Sequence, residues 1–279
     1  MGIRPINFVE LQLTIDGINC VVGGMARPDF NGVRIHGCMQ YLQERNFNLL
    51  IGLQPHIQYN FIAQIYGIRY LKRAVTDFFP PSIELFEEIF ECVKPSRTAR
   101  QHSSEPSRNV VIHCGEGFGR TGTVLAALKL KELMLVAPVS EEKTAVVSLN
   151  YGAVEHGLAP CTPLVKHAIE IIRAIQGNNS PIETIGQVNR LCEYQSFLAN
   201  LQLTLDLMAS DSSFTLREEI SQQSVCSSDV HNDEGKSGWA RNMLRVNPRF
   251  FIAYTAAPND LGNCDDIPPD DISPRSPSP

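Results

Sequence analysis

The feature that most constrains the fold is an apolar segment that runs directly into a glycine-rich turn and then into a helical pattern. Residues 109–114 have the sequence NVVIHC, and three glycines follow at alternate positions. Residues 123–134 then consist largely of strong helix formers. A buried strand joined to a helix by a tight turn is typical of α/β folds. The pattern predicts a strand that ends at Cys114 and a helix that begins just after Arg120.

Strand and helix patterns alternate along much of the remaining chain. Branched and apolar residues predict strands at 11–22, 47–53 and 68–73. Helical spacing predicts helices at 32–45, 82–94, 163–176 and about 183–205, with a short one that ends near residue 66. The fold class that follows is α/β, with a central, mainly parallel twisted sheet flanked by helices.

Two segments do not follow this alternation. Residues 135–162 fit no clear element, and we interpret them as an insertion. Residues 206–279 are rich in polar residues and end in a proline- and serine-rich run, so we expect a partly disordered appendage. Residues 239–258 contain enough apolar side chains to fold back onto the domain. The prediction is one domain over 1–205, followed by an appendage. That appendage is a solvated extension by default, with a docking arm for a partner and a translocation signal as the alternatives.

Composition excludes several classes of function. The net charge is −6, so the chain lacks the basic surplus of a typical nucleic-acid binder, and no nucleic-acid partner is expected. No window approaches about 18 uninterrupted apolar residues, which argues against a membrane span. The N-terminal stretch lacks the pattern of a secretory signal. The expected location is the reducing cytoplasm, with delivery into another cell left open.

The eight cysteines contain no CxxC pair, which disfavours a zinc ribbon or a thioredoxin-like site. The histidines that we considered as ligands are scattered, at positions 102, 113, 156 and 167. We therefore expect no metal and no cofactor. Most buried cysteines are inert, so only the surroundings of a cysteine can single it out.

Those surroundings single out Cys114. Glycines allow the backbone to curl so that successive N–H groups point inward, and such a turn at a helix N-terminus binds an anion. Thiols in such electropositive surroundings ionise readily and become nucleophiles without a separate base. The guanidinium of Arg120 can hold two phosphate oxygens at once. The loop amides expected to bind phosphate belong to Gly115, Glu116, Gly117, Phe118, Gly119 and Arg120.

Two neighbours have supporting roles in this interpretation. Thr121 is expected to donate its hydroxyl to the sulfur of Cys114, which eases departure of the thiolate from a covalent intermediate. His113 is expected to orient the loop through hydrogen bonds rather than to transfer a proton.

The segment HCGEGFGRTGT resembles the signature loop of the protein tyrosine phosphatase superfamily, in which His-Cys is followed by five residues, Arg, and Ser or Thr. Its ending is similar to the atypical dual-specificity phosphatases. The resemblance runs from about residue 21 to about 203 and includes GGMARP at 23–28. It implies the cysteine-phosphatase fold and hydrolysis of phosphate monoesters through a cysteinyl-phosphate intermediate.

The resemblance also implies a general acid, and Asp77 in the segment TDFFPP matches its position. A turn aspartate that caps its own loop is the alternative, and Asp29 is a weaker rival for the acid. The resemblance further implies that Gln187 helps to position the hydrolytic water. Residues 183–184 fit ordinary capping of a helix N-terminus equally well.

The expected substrates are phosphotyrosine and phosphoserine or phosphothreonine in proteins. Three alternatives remain: a phosphate-binding module without turnover, an RNA 5′-phosphatase and a phosphoinositide phosphatase. The acidic net charge disfavours RNA. Lipid-directed members of the superfamily carry lysines in the loop, whereas this chain carries Glu116, which repels additional anionic groups.

Overall fold

The chain opens with a β-hairpin, formed by β1 (Val9–Ile15) and β2 (Ile18–Ala26), that becomes one edge of the sheet. Its two-residue turn, Asp16-Gly17, has φ angles of 54° and 77°. Two positive φ angles are what a type I′ turn requires, and Asp-Gly is one of the residue pairs that tolerate them. The computed structural model describes residues 2–29, 32–56, 59–95, 109–136, 144–151, 154–177 and 181–223.

The remaining elements alternate between helix and strand as far as the fourth helix. They are α1 (Gly32–Glu44), β3 (Phe47–Gly52), α2 (Asn60–Ile65), β4 (Arg69–Lys72), α3 (Ile83–Val93), β5 (Asn109–Cys114), α4 (Gly119–Val136), β6 (Ala145–Tyr151), β7 (Val154–Cys161), α5 (Pro163–Gln176) and α6 (Ile185–Gln223).

The central sheet has the strand order β1-β2-β5-β3-β4. Strands β2, β5, β3 and β4 are parallel to one another, and β1 alone is antiparallel. This arrangement confirms the predicted α/β class with a mainly parallel sheet. Ala26 pairs with Cys114, and Gly52 pairs with His113. The carboxyl ends of three neighbouring strands therefore meet at one edge of the sheet, beside the glycine-rich turn.

Helices cover both faces of the sheet, because successive side chains of a strand point to opposite sides. On β5, Val110 and Ile112 enter an apolar cluster that also contains buried residues of α3, α4, α5 and α6. Val111, between them, enters a second cluster with residues of α1 and α2. The central strand is thus buried on both sides, and its carboxyl end is held rigidly.

Three element boundaries differ from the prediction. Helix α4 begins at Gly119, before Arg120 rather than after it. Residues 135–162 are not a structureless insertion, because α4 ends at Val136 and β6 and β7 form an antiparallel hairpin. Helix α6 continues past residue 205 to Gln223. The chain divides into two compact units, residues 1–216 and 217–279.

Other predictions lie outside the described residues: the loop beyond residue 95, and residues 239–258 with the terminal run. None of the described helices combines the length and apolar character needed to cross a membrane.

Candidate active site

Cys114 is the last residue of β5 and only 3% of it is exposed. The backbone N–H of Gly117 donates to its sulfur over 3.3 Å. Gly117 has a φ of 82°, and a Cβ there would lie 2.5 Å from backbone atoms of Met25 and Ala26. Only glycine fits this position, so the turn predicted from the sequence can bring its amide over the sulfur.

Arg120 lies in the first turn of α4, is 4% exposed and joins the loop to the segment that follows β4. Its Nη1 donates to the carbonyl of Val75 over 2.9 Å. Its Nη2 lies 2.7 Å from Oδ1 of Asp77. Val75 is itself held by a hydrogen bond from its N–H to the carbonyl of Leu53, just beyond β3. The structure therefore brings Arg120 and Asp77 together.

Asp77 lies in a tight turn with its side chain 68% exposed. The turn is closed by the N–H of Phe79, which donates to the carbonyl of Thr76. Oδ1 of Asp77 also accepts from the N–H of Phe78, a residue with a φ of 61°. The local cap and the contact with Arg120 thus coexist. Asp29, the weaker rival for the acid, forms a surface ion pair with Arg34 at 3.4 Å.

Gln187 closes a capping box at the start of α6. Its Oε1 accepts from the N–H groups of Glu183 and Thr184, and the hydroxyl of Thr184 accepts from the N–H of Gln187. Gln187 is fully buried, and its Nε2 has no hydrogen-bond partner among the described residues. A Cβ on Gly119 would lie 3.0 Å from that Nε2. The side chain therefore caps α6 and also lies against the end of the loop.

Glu183 is a residue of this site that the sequence interpretation treated only as part of a helix cap. Its carboxylate lies against Gly119, where a Cβ would clash with it. Burial raises its pKa, and the charges of Asp77 and Glu116 act in the same direction, whereas Arg120 opposes them. Glu116 is exposed. The charges of Asp77, Glu116 and Arg120 therefore all act on Glu183, and we call the three carboxylates of Asp77, Glu116 and Glu183 the acidic rim.

His113 is fully buried and packs between two aromatic rings. Its ring lies 5.3 Å from that of Tyr59, edge to face, and is stacked at 6.3 Å on that of Tyr70. Burial lowers the pKa of His113 to about 4, with Arg120 adding to the effect and the backbone of Cys114 opposing it. Neither ring nitrogen has a partner of hydrogen-bond geometry among the described residues. A neutral ring packed against Tyr59 and Tyr70 therefore lies beside Cys114, and the orientation of the loop by hydrogen bonds of His113 stays a prediction.

Thr121 is fully buried, and its hydroxyl has no hydrogen-bond partner among the described residues. The expected contact with the sulfur of Cys114 is therefore not formed in this structure. A Cβ on Gly24 would lie 3.2 Å from Cγ2 of Thr121, so the side chain packs tightly against β2.

Two further residues contact the loop, and no sequence pattern pointed to them. Nδ2 of Asn7 donates to the carbonyl of Glu116 over 2.8 Å. Nε2 of Gln176 donates to the carbonyl of Gly117 over 3.1 Å. They lie far from the loop in sequence, and only the fold brings them to it. Within the described ranges no cluster of three His, Cys, Asp or Glu side chains could hold a metal ion.

A comparison with protein families matches residues 23–133 to a family described as "Tc-R-P: Polymorphic toxin system, DSP-PTPase phosphatase". The matched residues include Asp77, Cys114 and Arg120. The match confirms the resemblance to the protein tyrosine phosphatase superfamily in its dual-specificity branch. Residues 23–133 are thus similar to phosphatase domains of the tyrosine and dual-specificity type.

Several solved structures are similar to the chain at low identity. Tk-PTP in its active form is 22% identical, covering 63% of this chain and 91% of its own, with a TM-score of 0.38. Kinase associated phosphatase is 22% identical, covering 70% and 97%, with a TM-score of 0.45. PTPMT1 in complex with PI(5)P is 15% identical, covering 65% and 94%, with a TM-score of 0.42.

Proposed function

We propose that this domain hydrolyses phosphate monoesters of proteins, on tyrosine and on serine or threonine, through a cysteinyl-phosphate intermediate. The observation that carries the proposal is the double contact of Arg120. One guanidinium joins the turn above the Cys114 sulfur to the carbonyl of Val75 and the carboxylate of Asp77. In this proposal Cys114 is the nucleophile, Arg120 the oxyanion clamp and Asp77 the proton donor, and the two contacts of Arg120 support that assignment.

In the first step the thiolate of Cys114 attacks phosphorus in line with the ester oxygen. The P–O bond to the alcohol or phenol breaks, and Asp77 gives a proton to the departing oxygen. The substrate phosphate takes the place of the Asp77 carboxylate on Arg120, which frees that carboxyl group to face the leaving oxygen. The loop amides and Arg120 hold the three equatorial oxygens, where negative charge spreads in the transition state.

In the second step a water molecule attacks the phosphorus of the thiophosphate and the S–P bond breaks. Asp77, now ionised, accepts the proton of the water, and the thiolate of Cys114 is restored. Nε2 of Gln187 is buried against the end of the loop without a partner among the described residues, so it has a free donor with which to hold that water. The products are inorganic phosphate and the original enzyme.

The acidic rim supports a substrate with few additional negative charges. Carboxylates around a phosphate site repel further anionic groups, as carried by a polyphosphorylated inositol ring or by RNA. A phosphorylated protein side chain brings only one phosphate to the loop. The description of the matched family also names a polymorphic toxin system.

The test is hydrolysis of p-nitrophenyl phosphate in the presence of EDTA, followed by rapid acid quenching and mass spectrometry. We expect metal-independent release of nitrophenol and a phosphate mass on the peptide that contains Cys114. A phosphate-binding module without turnover predicts neither result, although it would still bind inorganic phosphate. Turnover without a labelled Cys114 peptide would contradict the covalent mechanism.

The substrate class is tested with a panel of singly and doubly phosphorylated peptides, phosphoinositides and 5′-triphosphorylated RNA. We expect the wild type to prefer singly phosphorylated peptides. Glu116→Gln and Glu183→Gln should each reduce several-fold the ratio of kcat/KM for singly phosphorylated peptides to kcat/KM for the more highly charged substrates, because each removes a repelling carboxylate from the acidic rim. Glu170→Gln, on α5, removes one negative charge away from the rim and is the matched control. A wild type that prefers phosphoinositides or RNA would refute the assignment to proteins.

A further inference from the structure

Every carbonyl group of the turn, from Gly115 to Gly119, accepts a hydrogen bond. The carbonyl of Gly115 accepts from the N–H of Arg27 at 3.0 Å, next to the end of β2. The carbonyls of Phe118 and Gly119 accept from the N–H of Gly122 and the hydroxyl of Thr123 within α4. The two remaining carbonyls, of Glu116 and Gly117, lie at the middle of the turn. Side-chain amides are their donors.

The donors of these two central bonds come from opposite parts of the chain. Nδ2 of Asn7, in the segment before β1, donates to the carbonyl of Glu116 over 2.8 Å. Nε2 of Gln176, the last residue of α5, donates to the carbonyl of Gly117 over 3.1 Å. Both residues lie outside the segment 23–133 that matches the phosphatase family.

A held carbonyl fixes the direction of the next N–H group, because the peptide unit is planar and its C=O and N–H point in opposite directions. The carbonyl of Glu116 shares its peptide with the N–H of Gly117, and that N–H donates to the sulfur of Cys114 over 3.3 Å. The carbonyl of Gly117 shares its peptide with the N–H of Phe118. Asn7 and Gln176 therefore act on two adjacent amides at the middle of the phosphate loop.

The backbone holds both Asn7 and Gln176 in position to donate these hydrogen bonds. Asn7 has a φ of 54°, in the left-handed region that asparagine tolerates better than most residues, and the preceding carbonyl of Ile6 accepts from the N–H of Ala26 over 3.0 Å. Helix α5 ends in a left-handed Gly177 with a φ of 68°, immediately after Gln176. The turn is thus held from outside by two elements whose own geometry is fixed.

We propose that Asn7 and Gln176 are positioning residues that hold the central amides of the loop toward a bound oxyanion. The inference rests on the proposed function for the identity of the substrate phosphate. It concerns oxyanion binding, which can be measured without turnover. Without the side-chain donors of Asn7 and Gln176, the carbonyls of Glu116 and Gly117 are free to turn inward. An inward carbonyl oxygen would repel the phosphate, and the N–H of the same peptide would then point away from it.

The test uses donor-free variants that respect local geometry. Asn7→Gly keeps the left-handed conformation, and Gln176→Met keeps the length and the helix propensity of the side chain. Gln64→Met, on the exposed side of α2, is the matched control. Each protein is melted with and without sodium tungstate, a phosphate mimic that requires no chemistry, and kcat and KM are measured with p-nitrophenyl phosphate.

We expect Asn7→Gly and Gln176→Met each to weaken tungstate binding and to lower kcat by about tenfold, with a smaller change in KM. The stabilisation that tungstate gives on melting should shrink accordingly. If the roles were purely structural, each variant would melt at a lower temperature by the same amount with and without tungstate. The rise in melting temperature that tungstate causes would then equal that of the wild type, and this result would overturn the proposal.

The two hypotheses fail in different ways. A wild type that binds tungstate through Asn7 and Gln176 yet hydrolyses nothing would support the positioning role and refute the phosphatase function. An active wild type whose variants match the Gln64→Met control would refute the positioning role alone. A wild type that neither turns over nor responds to tungstate would refute both.

Discussion

Cys38 and Cys114 are buried on opposite sides of the sheet, and the two cysteines lie in different surroundings. Cys38, in α1, is 4% exposed, and Cys114, at the end of β5, is 3% exposed. Cys38 lies in the apolar cluster of α1 and α2, where burial raises its pKa to about 12. Cys114 receives the N–H of Gly117 on its sulfur, and a Cβ on the adjacent Gly115 would lie 3.5 Å from Nη2 of Arg120. The exposed fraction does not distinguish the two thiols.

The difference lies in what the backbone does around each sulfur. A helix directs its N–H groups to its own carbonyls, so an interior residue such as Cys38 offers its thiol only apolar neighbours. The turn after β5 instead directs its carbonyls outward and one N–H onto the sulfur. Burial by itself therefore makes a thiol inert, whereas burial beneath inward amides makes it a candidate nucleophile.

The largest expected effect is on turnover when each thiol is replaced. Cys114→Ser should lower kcat for p-nitrophenyl phosphate by a factor of at least about 10⁴, because serine lacks the thiolate on which the proposed mechanism depends. Cys38→Ser should leave kcat within about twofold and lower the free energy of unfolding by about 1–3 kcal/mol, since it buries a hydroxyl among apolar groups. Steady-state kinetics and urea unfolding measure both. Comparable losses of kcat in the two variants would abolish the distinction.

A second comparison concerns two arginines that are buried in the described part of the chain, Arg120 and Arg173. Arg173 donates to the carbonyls of Ser148 and Pro181 and so links α5 to the hairpin and to the segment before α6. Arg120→Lys should lower kcat about 10²–10³-fold, because an ammonium cannot hold two phosphate oxygens in one plane. Arg173→Lys should instead cost about 1–3 kcal/mol of stability through its lost hydrogen bonds, with kcat almost unchanged. If Arg120→Lys kept full activity, the clamp would be assigned wrongly.

The third comparison sets Asp77 against Asp29, the other aspartate considered as the acid. Asp77→Asn should slow phenyl phosphate about 10²–10³-fold and p-nitrophenyl phosphate much less, since nitrophenolate departs without a proton. Asp29→Asn should affect neither, because its carboxylate pairs with Arg34 at the surface. The ratio of the two rates is the measurement. An unchanged ratio in Asp77→Asn would show that another group protonates the leaving oxygen.

Much of the fold followed from local pattern because the strands and most helices carry clear periodicity. Three boundaries were missed: the start of α4, the hairpin of β6 and β7, and the end of α6. Glycine disfavours a helix, yet Gly119 and Gly122 both lie in α4. A larger side chain at 119 would clash with Glu183 and one at 122 would press on Pro181, so packing requires glycine at positions where propensity argues against a helix. Strand β7 contains both glycine and proline, so its pairing with β6 was not visible in its sequence.

The candidate site shows the same division. Cys114, Arg120 and Asp77 were identified because a compact motif and its resemblance contain them, and the structure brings them together. Asn7 and Gln176 contact the loop across 109 and 59 residues of sequence, a distance that no periodicity can bridge. The environment of His113 was missed because it depends on rings from two distant elements.

The last prediction concerns the pH dependence of stability through the buried His113, at the end of the central strand β5. Burial lowers the pKa of His113 from 6.5 to about 4. Between pH 4 and pH 6.5, His113 is therefore protonated in the unfolded chain and neutral in the folded chain. The free energy of unfolding is therefore highest above pH 6.5 and falls as the pH drops toward 4, by up to about 3 kcal/mol from this residue. His113→Phe, which keeps a ring between Tyr59 and Tyr70, should flatten the curve of unfolding free energy against pH over that interval. Urea unfolding at half-unit steps from pH 4.5 to pH 7.5 gives the slopes. If the curves of unfolding free energy against pH were parallel for the wild type and His113→Phe, His113 would bind its proton equally well in the folded and unfolded chains. The interpretation of His113 as a neutral ring packed beneath the loop would then be wrong.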